Sequence, residues 1–311
     1  MIVKEFRKRG TGFAGQDRMS WVDNWRDVVG FISSARNADK DHLSPFFKRY
    51  FRFPPHKILE GGCGTGKYVI AYRKLGYDII GVDFAGETIK RIRHEMGGDF
   101  PVYEADITSL PFDNNYFDCY YSGGVIEHFE EGPDKPLMEA HRVLKKGGLL
   151  LVTVPYINIL RRIIFSFRMQ CEMGDLIQKK VYACRVDSGV PRGYDFCEYI
   201  FDSQSLRSYF EKNNFVIEKI YPTDFLWGEI GFLFRNKIRR GNNCKKNIGH
   251  KEKSGHNNID SRVRMRHRSL LQDLTYEFLV TENIENKFFK PLILLLNYLS
   301  GHMVLFIARA V

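Results

Sequence analysis

Three glycines and three acids carry most of the chemistry this chain can perform. Gly62, Gly64 and Gly66 form a GxGxG turn, and Glu60 precedes it at the end of a short apolar run. A strand, a tight glycine turn and a helix start let backbone amides come close to a nucleotide-like ligand. The dinucleotide fingerprint GxGxxG calls for a small residue at position 67, where Lys67 stands instead. Asp83 and Asp106 follow Glu60 at equal spacing, each about one strand–helix unit further on. Ligands of open parallel sheets bind beyond the carboxyl ends of the strands, so acids in this register face one crevice. There Asp83 can accept from two vicinal ribose hydroxyls and Asp106 from the exocyclic amino group of adenine. Glu60 can sit near a positively charged amino group. Any one acid alone could be a turn or cap residue; three behind a glycine turn form a pattern. Glu127-His128 falls just after a further strand. His128 is the candidate catalytic residue, a base for an oxygen or nitrogen nucleophile, with structural packing as its competing role.

The elements that position these residues alternate strand and helix. Ile58 to Glu60, Ile79 to Asp83, Val102 to Ala105, Phe117 to Ser122 and Leu149 to Val154 read as strands. Tyr68 to Leu75, Glu87 to Met96 and Leu137 to Leu144 read as helices, stopped by Gly76, Gly97-Gly98 and Lys145 to Gly148. The last of these strands is almost wholly apolar, as buried parallel strands are. The repeated units predict an α/β fold: a Rossmann-like open, mostly parallel seven-stranded sheet with helices on both faces and inserted cover segments. A helix over Asp202 to Asn213, a strand over Phe215 to Ile220 and a last strand over Met303 to Ala308 complete it.

The expected domain organisation has four parts. Residues 1–55 form an N-terminal helical leader, 56–220 the core with a variable cover at about 156–197, 221–300 inserted apolar helices and a basic loop, and 301–311 the final strand. In the leader, Trp21, Trp25, Val28, Val29 and Ile32 form a helical stripe. Such a stripe packs on a core or, alternatively, acts as a flap over a ligand. Hydrophobic residues at 44% and charged residues at 27% are ordinary for a soluble globular chain. The net charge of +10 owes much to residues 241–268, which read as a solvated loop; RNA binding there would lack aromatic interleaving. The six cysteines show no CxxC or Cys/His metal spacing, so they read as free thiols in a reducing compartment, with no metal required. Residues 1–10 are basic without an apolar core, which excludes a secretory signal there.

Taken together, these pieces resemble the class I S-adenosylmethionine-dependent methyltransferases, in the small-molecule subgroup that includes ubiquinone and sterol methyltransferases. The supporting stretches are LEGGCGTGKY (59–68), GVDFAGETI (81–89), EADITSLPFDNNYFDCYYS (104–122), VIEHF (125–129) and EAHRVLKKGGLLLVTVP (139–155). The first departs slightly, with Glu60 where Asp is commoner and Gly61 where a β-branched residue often sits. The resemblance implies S-adenosyl-L-methionine as cofactor. It implies that Gly62, Gly64 and Gly66 pass close to the methionine and ribose parts, and that Glu60 supports the loop and the amino end. Asp83 would hold the ribose hydroxyls, Asp106 the adenine amino group with the Ile107 backbone beside it, and Ser122 and Gly123 would line the sulfonium end. The reaction would be in-line displacement at an activated methyl, with the protein aligning donor and acceptor and excluding water.

The acceptor is expected to be a small or lipid-like molecule. Tyr121-Ser122-Gly123-Gly124 replaces the Asn/Asp-Pro-Pro-aromatic motif of enzymes that methylate base or amide nitrogens, which argues against nucleic acid. Tyr156, Tyr194 and Tyr199 flank the variable cover and could shape the acceptor pocket. The apolar stretches at 225–238 and 288–310 read as buried cover helices, with peripheral membrane contact as the alternative. The expected location is cytoplasmic or at the inner membrane surface. An NAD-dependent oxidoreductase and a non-catalytic cofactor-binding module are the rival functions. Oligomeric state has no signal in this sequence.

Overall fold

The computed structural model describes residues 2–8, 21–22, 25, 32, 35, 38–159, 161–162, 181–185, 192–223 and 303–311. The expected elements at 225–238, 241–268 and 288–302, with Val28 and Val29 of the leader stripe, lie outside the described residues.

Seven strands form the main sheet: β2 (Lys57–Gly61), β3 (Asp78–Asp83), β4 (Val102–Glu104), β5 (Phe117–Gly123), β6 (Leu144–Pro155), β9 (Phe215–Thr223) and β10 (Met303–Ala310). Their order is β4-β3-β2-β5-β6-β10-β9. Strands β2 to β6 pair in parallel, and β10 runs antiparallel between β6 and β9. This is the expected Rossmann-like, mostly parallel sheet. Strand order reverses between β2 and β5, which opens a crevice beyond their carboxyl ends.

The two sheet faces follow from the period-two pattern of the strands. Val152, Val154, Val304 and Phe306 point to one face, where they meet Leu137, Ala140, Leu206 and Phe210 of helices α4 (Asp134–Val143) and α5 (Ser203–Lys212). Leu151, Leu305 and Ile307 point to the other face. There they share a cluster with α1 (Ser44–Tyr50), α2 (Lys67–Lys74) and α3 (Gly86–Met96), through Phe47, Val69, Tyr72, Ile89 and Ile92. The α5 helix starts as its sequence suggests, with the Asp202 carboxylate accepting from the Ser205 N–H at 2.8 Å.

Two boundaries differ from expectation. Helix α4 ends at Val143, and residues 145–148 belong to a bulged opening of β6 rather than to a helix stop. Pairing jumps from Phe117–Leu144 to Cys119–Leu149, so the extra residues loop out at the bottom edge of the sheet. The leader also begins as a strand, not a helix. Strand β1 (Ile2–Lys8) pairs antiparallel with β7 (Val181–Arg185) and β8 (Tyr194–Phe201) in a separate three-stranded sheet. Val3 and Phe6 are both buried, on either side of a register shift between Glu5 and Phe6, and Phe6 meets Phe196 edge-on at 6.1 Å. The register shift breaks the period-two pattern, so the strand cannot be distinguished from a charged leader without its partner strands. This small sheet packs over the same face as α4 and α5 and brings β8 close to the end of β5. Among the described residues, no helix is long and apolar enough to cross a membrane.

Strand β10 closes the sheet from a distant part of the chain, so its packing should be a major stability term. Phe306 is fully buried and stacks on Phe210 at 5.4 Å. Phe306→Ala is expected to cost about 3–5 kcal/mol of unfolding free energy. Urea denaturation of wild type and variant measures it; a loss under about 1 kcal/mol would show that β10 does not anchor the sheet.

Candidate active site

The glycine turn leaves β2 and enters α2 at the carboxyl edge of the sheet. Gly62 and Gly64 adopt φ of 72° and 51°, a region that excludes most side chains. Space is equally restrictive. A Cβ on Gly62 would lie 2.4 Å from Val125, and one on Gly64 would lie 3.0 Å from the Trp25 indole. The turn is held from below by β3: the Gly62 and Cys63 N–H groups both donate to the Val82 carbonyl at 2.8 Å.

Asp83 fixes the top of the turn. Its Oδ2 accepts from the Gly64 N–H at 2.8 Å and its Oδ1 from the Ala85 N–H at 2.9 Å. Burial raises its pKa, and these two backbone donors work in the opposite direction. Glu60 lies deeper. Burial pushes its carboxyl up to about 8, and its Oε2 is buried without a hydrogen-bond partner. The Ser122 hydroxyl is likewise buried without a partner. Asp106 sits just past β4 and is exposed, with Oδ1 accepting from the Thr108 N–H and hydroxyl, both at 2.8 Å.

A cavity of about 600 Å³ opens over this edge. Of the residues singled out from the sequence, Gly62, Asp83, Asp106, Ile107, Gly123 and His128 line it. Glu60, Gly64, Gly66 and Ser122 stand behind that wall rather than in it. Tyr199 is not part of the cavity lining; its hydroxyl donates to the Glu130 carbonyl at 2.7 Å, and Tyr156 and Tyr194 pack against the core. The described part of the leader stripe divides: Ile32 packs against the core, while Trp21 and Trp25 line the cavity. Trp21 and Trp25 stack at 5.9 Å, the Trp25 N–H donates to the Trp21 carbonyl as one helical turn requires, and both indoles line the cavity. Trp21 also meets Phe84 and His128 edge-on, at 6.5 and 5.1 Å.

His128 occupies a 3-10 turn (Ile126–His128) after β5 and is 8% exposed. Its Nδ1 lies 2.8 Å from the Cys197 carbonyl of β8. A carbonyl only accepts, so Nδ1 carries the proton and Nε2 is the basic nitrogen. Nε2 is 4.0 Å from Oε2 of Glu198. Glu127 beside it is 1% exposed, and burial together with the charge of Glu198 holds its carboxyl well above the usual range.

Sequence reasoning missed Phe84, Val125, Phe129 and Lys135 of the cavity wall, and Glu198 beneath His128. Phe84 follows Asp83 directly and was legible from its position after a strand-end acid. Glu198 belongs to a strand whose partner, β1, lies nearly two hundred residues away, and no local spacing marks it.

The residues fit an adenosyl cofactor. Two buried polar atoms, on Glu60 and Ser122, lack hydrogen-bond partners, and the glycine turn brings its backbone to the cavity at Gly62. A mostly parallel sheet with a glycine turn and strand-end acids round one cavity is the arrangement of a Rossmann-like nucleotide-binding fold. Residues 59–152 match the family described as Methyltransferase domain. Among curated proteins, the chain is similar to malonyl-(acyl-carrier protein) O-methyltransferase of Legionella pneumophila subsp. pneumophila, at 29% identity over 37% of this chain and 43% of that one. It is also similar to demethylmenaquinone methyltransferase of Renibacterium salmoninarum, at 32% identity over 32% of this chain and 41% of that one. The match thus spans about two-fifths of the length of these relatives. Among solved structures, a SAM-dependent methyltransferase from Archaeoglobus fulgidus aligns at 16% identity over 94% of this chain and 98% of that one, with a TM-score of 0.46.

The protonation of Glu60 makes a testable link between site and stability. Its folded pKa of about 8 lies above its ordinary 4.5. Between those values the folded state holds a proton that the unfolded state has lost. Stability therefore falls as pH rises through that window, and the penalty is complete above about 8. Asp83 shifts in the same direction. Thermal unfolding without ligand should show the midpoint falling from about pH 5 to pH 8, and Glu60→Gln should flatten that fall and raise the midpoint at pH 8. Parallel curves for the two proteins would contradict the assignment.

Proposed function

We propose that this chain is an S-adenosylmethionine-dependent methyltransferase acting on a small-molecule or lipid-like acceptor. One observation carries the reading: Gly62, Asp83, Asp106 and Gly123, drawn from four strand ends, line a single cavity within the stretch that matches the methyltransferase-domain family. When bound, S-adenosylmethionine supplies a methyl group on a positively charged sulfur, already activated for displacement.

The chain's own residues bind, orient and exclude water. Asp83 presents a carboxylate whose second lone pairs suit ribose hydroxyls, while its first lone pairs hold Gly64 and Ala85. Asp106 suits the adenine amino group, with Ile107 beside it. Glu60 and Ser122 offer buried oxygens beneath the turn for the amino end and the sulfonium end. The indole faces of Trp21 and Trp25 favour a cation and keep water from it. His128 presents Nε2 at the cavity wall as a proton acceptor.

Lys67 weighs against the oxidoreductase alternative. It begins α2, where the dinucleotide fingerprint needs a small residue, and its Nζ is held by Asp41 at 2.6 Å. The acceptor class draws on the wall aromatics Phe84 and Phe129 and on the names of the two curated relatives, which name malonyl-(acyl-carrier protein) and demethylmenaquinone. Buried thiols at Cys63, Cys119 and Cys197 suit a reducing, cytoplasmic setting. Contact with a membrane surface remains part of the proposal for the apolar stretch at 225–238.

Two experiments test this. Calorimetric titration with S-adenosylhomocysteine should give saturable binding, and Asp83→Ala should weaken it roughly 10- to 100-fold, as loss of about 1.5–3 kcal/mol of charge-assisted hydrogen bonding implies. Preferential binding of NAD would favour the oxidoreductase. Transfer of tritiated methyl into a cell extract should label a small-molecule or lipid fraction. Cofactor binding with no labelled fraction would instead indicate a non-catalytic module.

A further inference from the structure

Glu127, His128 and Glu198 bring three ligand atoms within 4.8 Å of one another, beside the cavity but outside the glycine turn and its acids. Glu127 is the informative member. It is almost wholly buried, and its Oε2 has no hydrogen-bond partner. Leaving a buried acceptor unpaired costs about 1–3 kcal/mol, and more when it is charged. A fold that keeps such an oxygen next to a second carboxylate has a use for it.

His128 is oriented as a ligand. The Cys197 carbonyl fixes the proton on Nδ1, the arrangement by which metal-bound histidines set their tautomer. Nε2 then carries a lone pair and lies 4.0 Å from Oε2 of Glu198. That spacing, together with the buried Oε2 of Glu127, is one that a single cation can bridge. Metal–ligand bonds of about 2.0–2.2 Å put ligand atoms up to about 4.4 Å apart, so the observed spread needs only a small contraction. The supports are firm: a turn directly after β5 on one side and the paired strand β8 on the other.

We propose that Glu127, His128 and Glu198 bind one divalent transition-metal ion at the edge of the cavity. One imidazole nitrogen and two carboxylates, with no thiolate, suit Mn²⁺, Fe²⁺ or Zn²⁺; Ca²⁺ prefers six to eight oxygens. The ion takes the Nε2 lone pair, so His128 becomes a ligand and its role as proton acceptor passes away. It would neutralise the paired carboxylates and, where His128 meets the cavity wall, offer open positions to an oxygen-bearing acceptor.

The test uses the full chain, stripped with chelator and titrated with Mn²⁺ while the electron paramagnetic resonance of the free ion is followed. One saturable equivalent is expected. Glu198→Gln, at a partly exposed position that should not disturb folding, is expected to weaken it about tenfold or more, and Glu127→Gln likewise. Circular dichroism checks that both variants fold, and S-adenosylhomocysteine affinity without metal should survive in Glu198→Gln. Absence of a saturable equivalent, or equal Mn²⁺ affinity in wild type and Glu198→Gln, would overturn the site. Either result leaves the cofactor reading standing, because that binding is measured separately.

Discussion

The buried carboxylate of Asp83 is the constraint on which the site depends. It spans two strand ends, gripping the Gly64 N–H of the turn after β2 and the Ala85 N–H before α3. With both oxygens engaged, the glycine turn is held at a fixed height over the sheet, and the cavity has a floor. Burial makes each of these hydrogen bonds stronger than it would be in water and makes the carboxylate costly to leave unpaired. The same burial explains why Asp83 and Glu60 are both displaced upward in pKa, and why a ligand bearing positive charge would find a receptive site.

A second layer of organisation comes from outside the central sheet. The small sheet of β1, β7 and β8 carries Cys197 and Glu198 under His128, and the helical turn at Trp21 and Trp25 lies across the cavity. Asp41, also in the leader, holds both Lys67 and the Tyr68 hydroxyl at the start of α2. The leader is therefore tied to the start of α2 at one point and to the cavity mouth at another. Any ligand reaching Gly64 must accommodate the Trp25 indole.

Much of the central sheet was legible in the sequence because its signals are local. Glycine turns need particular backbone angles, strand-end acids recur once per unit, and Leu149 to Val154 reads as a buried strand without any partner in view. A helix cap could be placed at Asp202 or Ser203 for the same reason, and the structure uses Asp202. What could not be read depends on distant pairing. The strand at Ile2–Lys8 declares itself only when β7 and β8 lie beside it, and Glu198 joins His128 only through that sheet. The tryptophans were visible as a helical stripe, but a stripe facing a core and one facing a ligand cavity have the same spacing. The stretch at 145–148 looked like a helix stop because glycines end helices and also build bulges.

Hydrogen exchange with and without S-adenosylhomocysteine tests the central claim most directly, because it reports on the amides that Asp83 is said to organise. Ligand should slow exchange at Gly62 to Gly66, at Phe84 and Ala85, and at Ile107 and Thr108, three segments far apart in sequence and joined at one sheet edge. Protection confined to one of these segments, or appearing elsewhere on the sheet, would contradict the shared cradle.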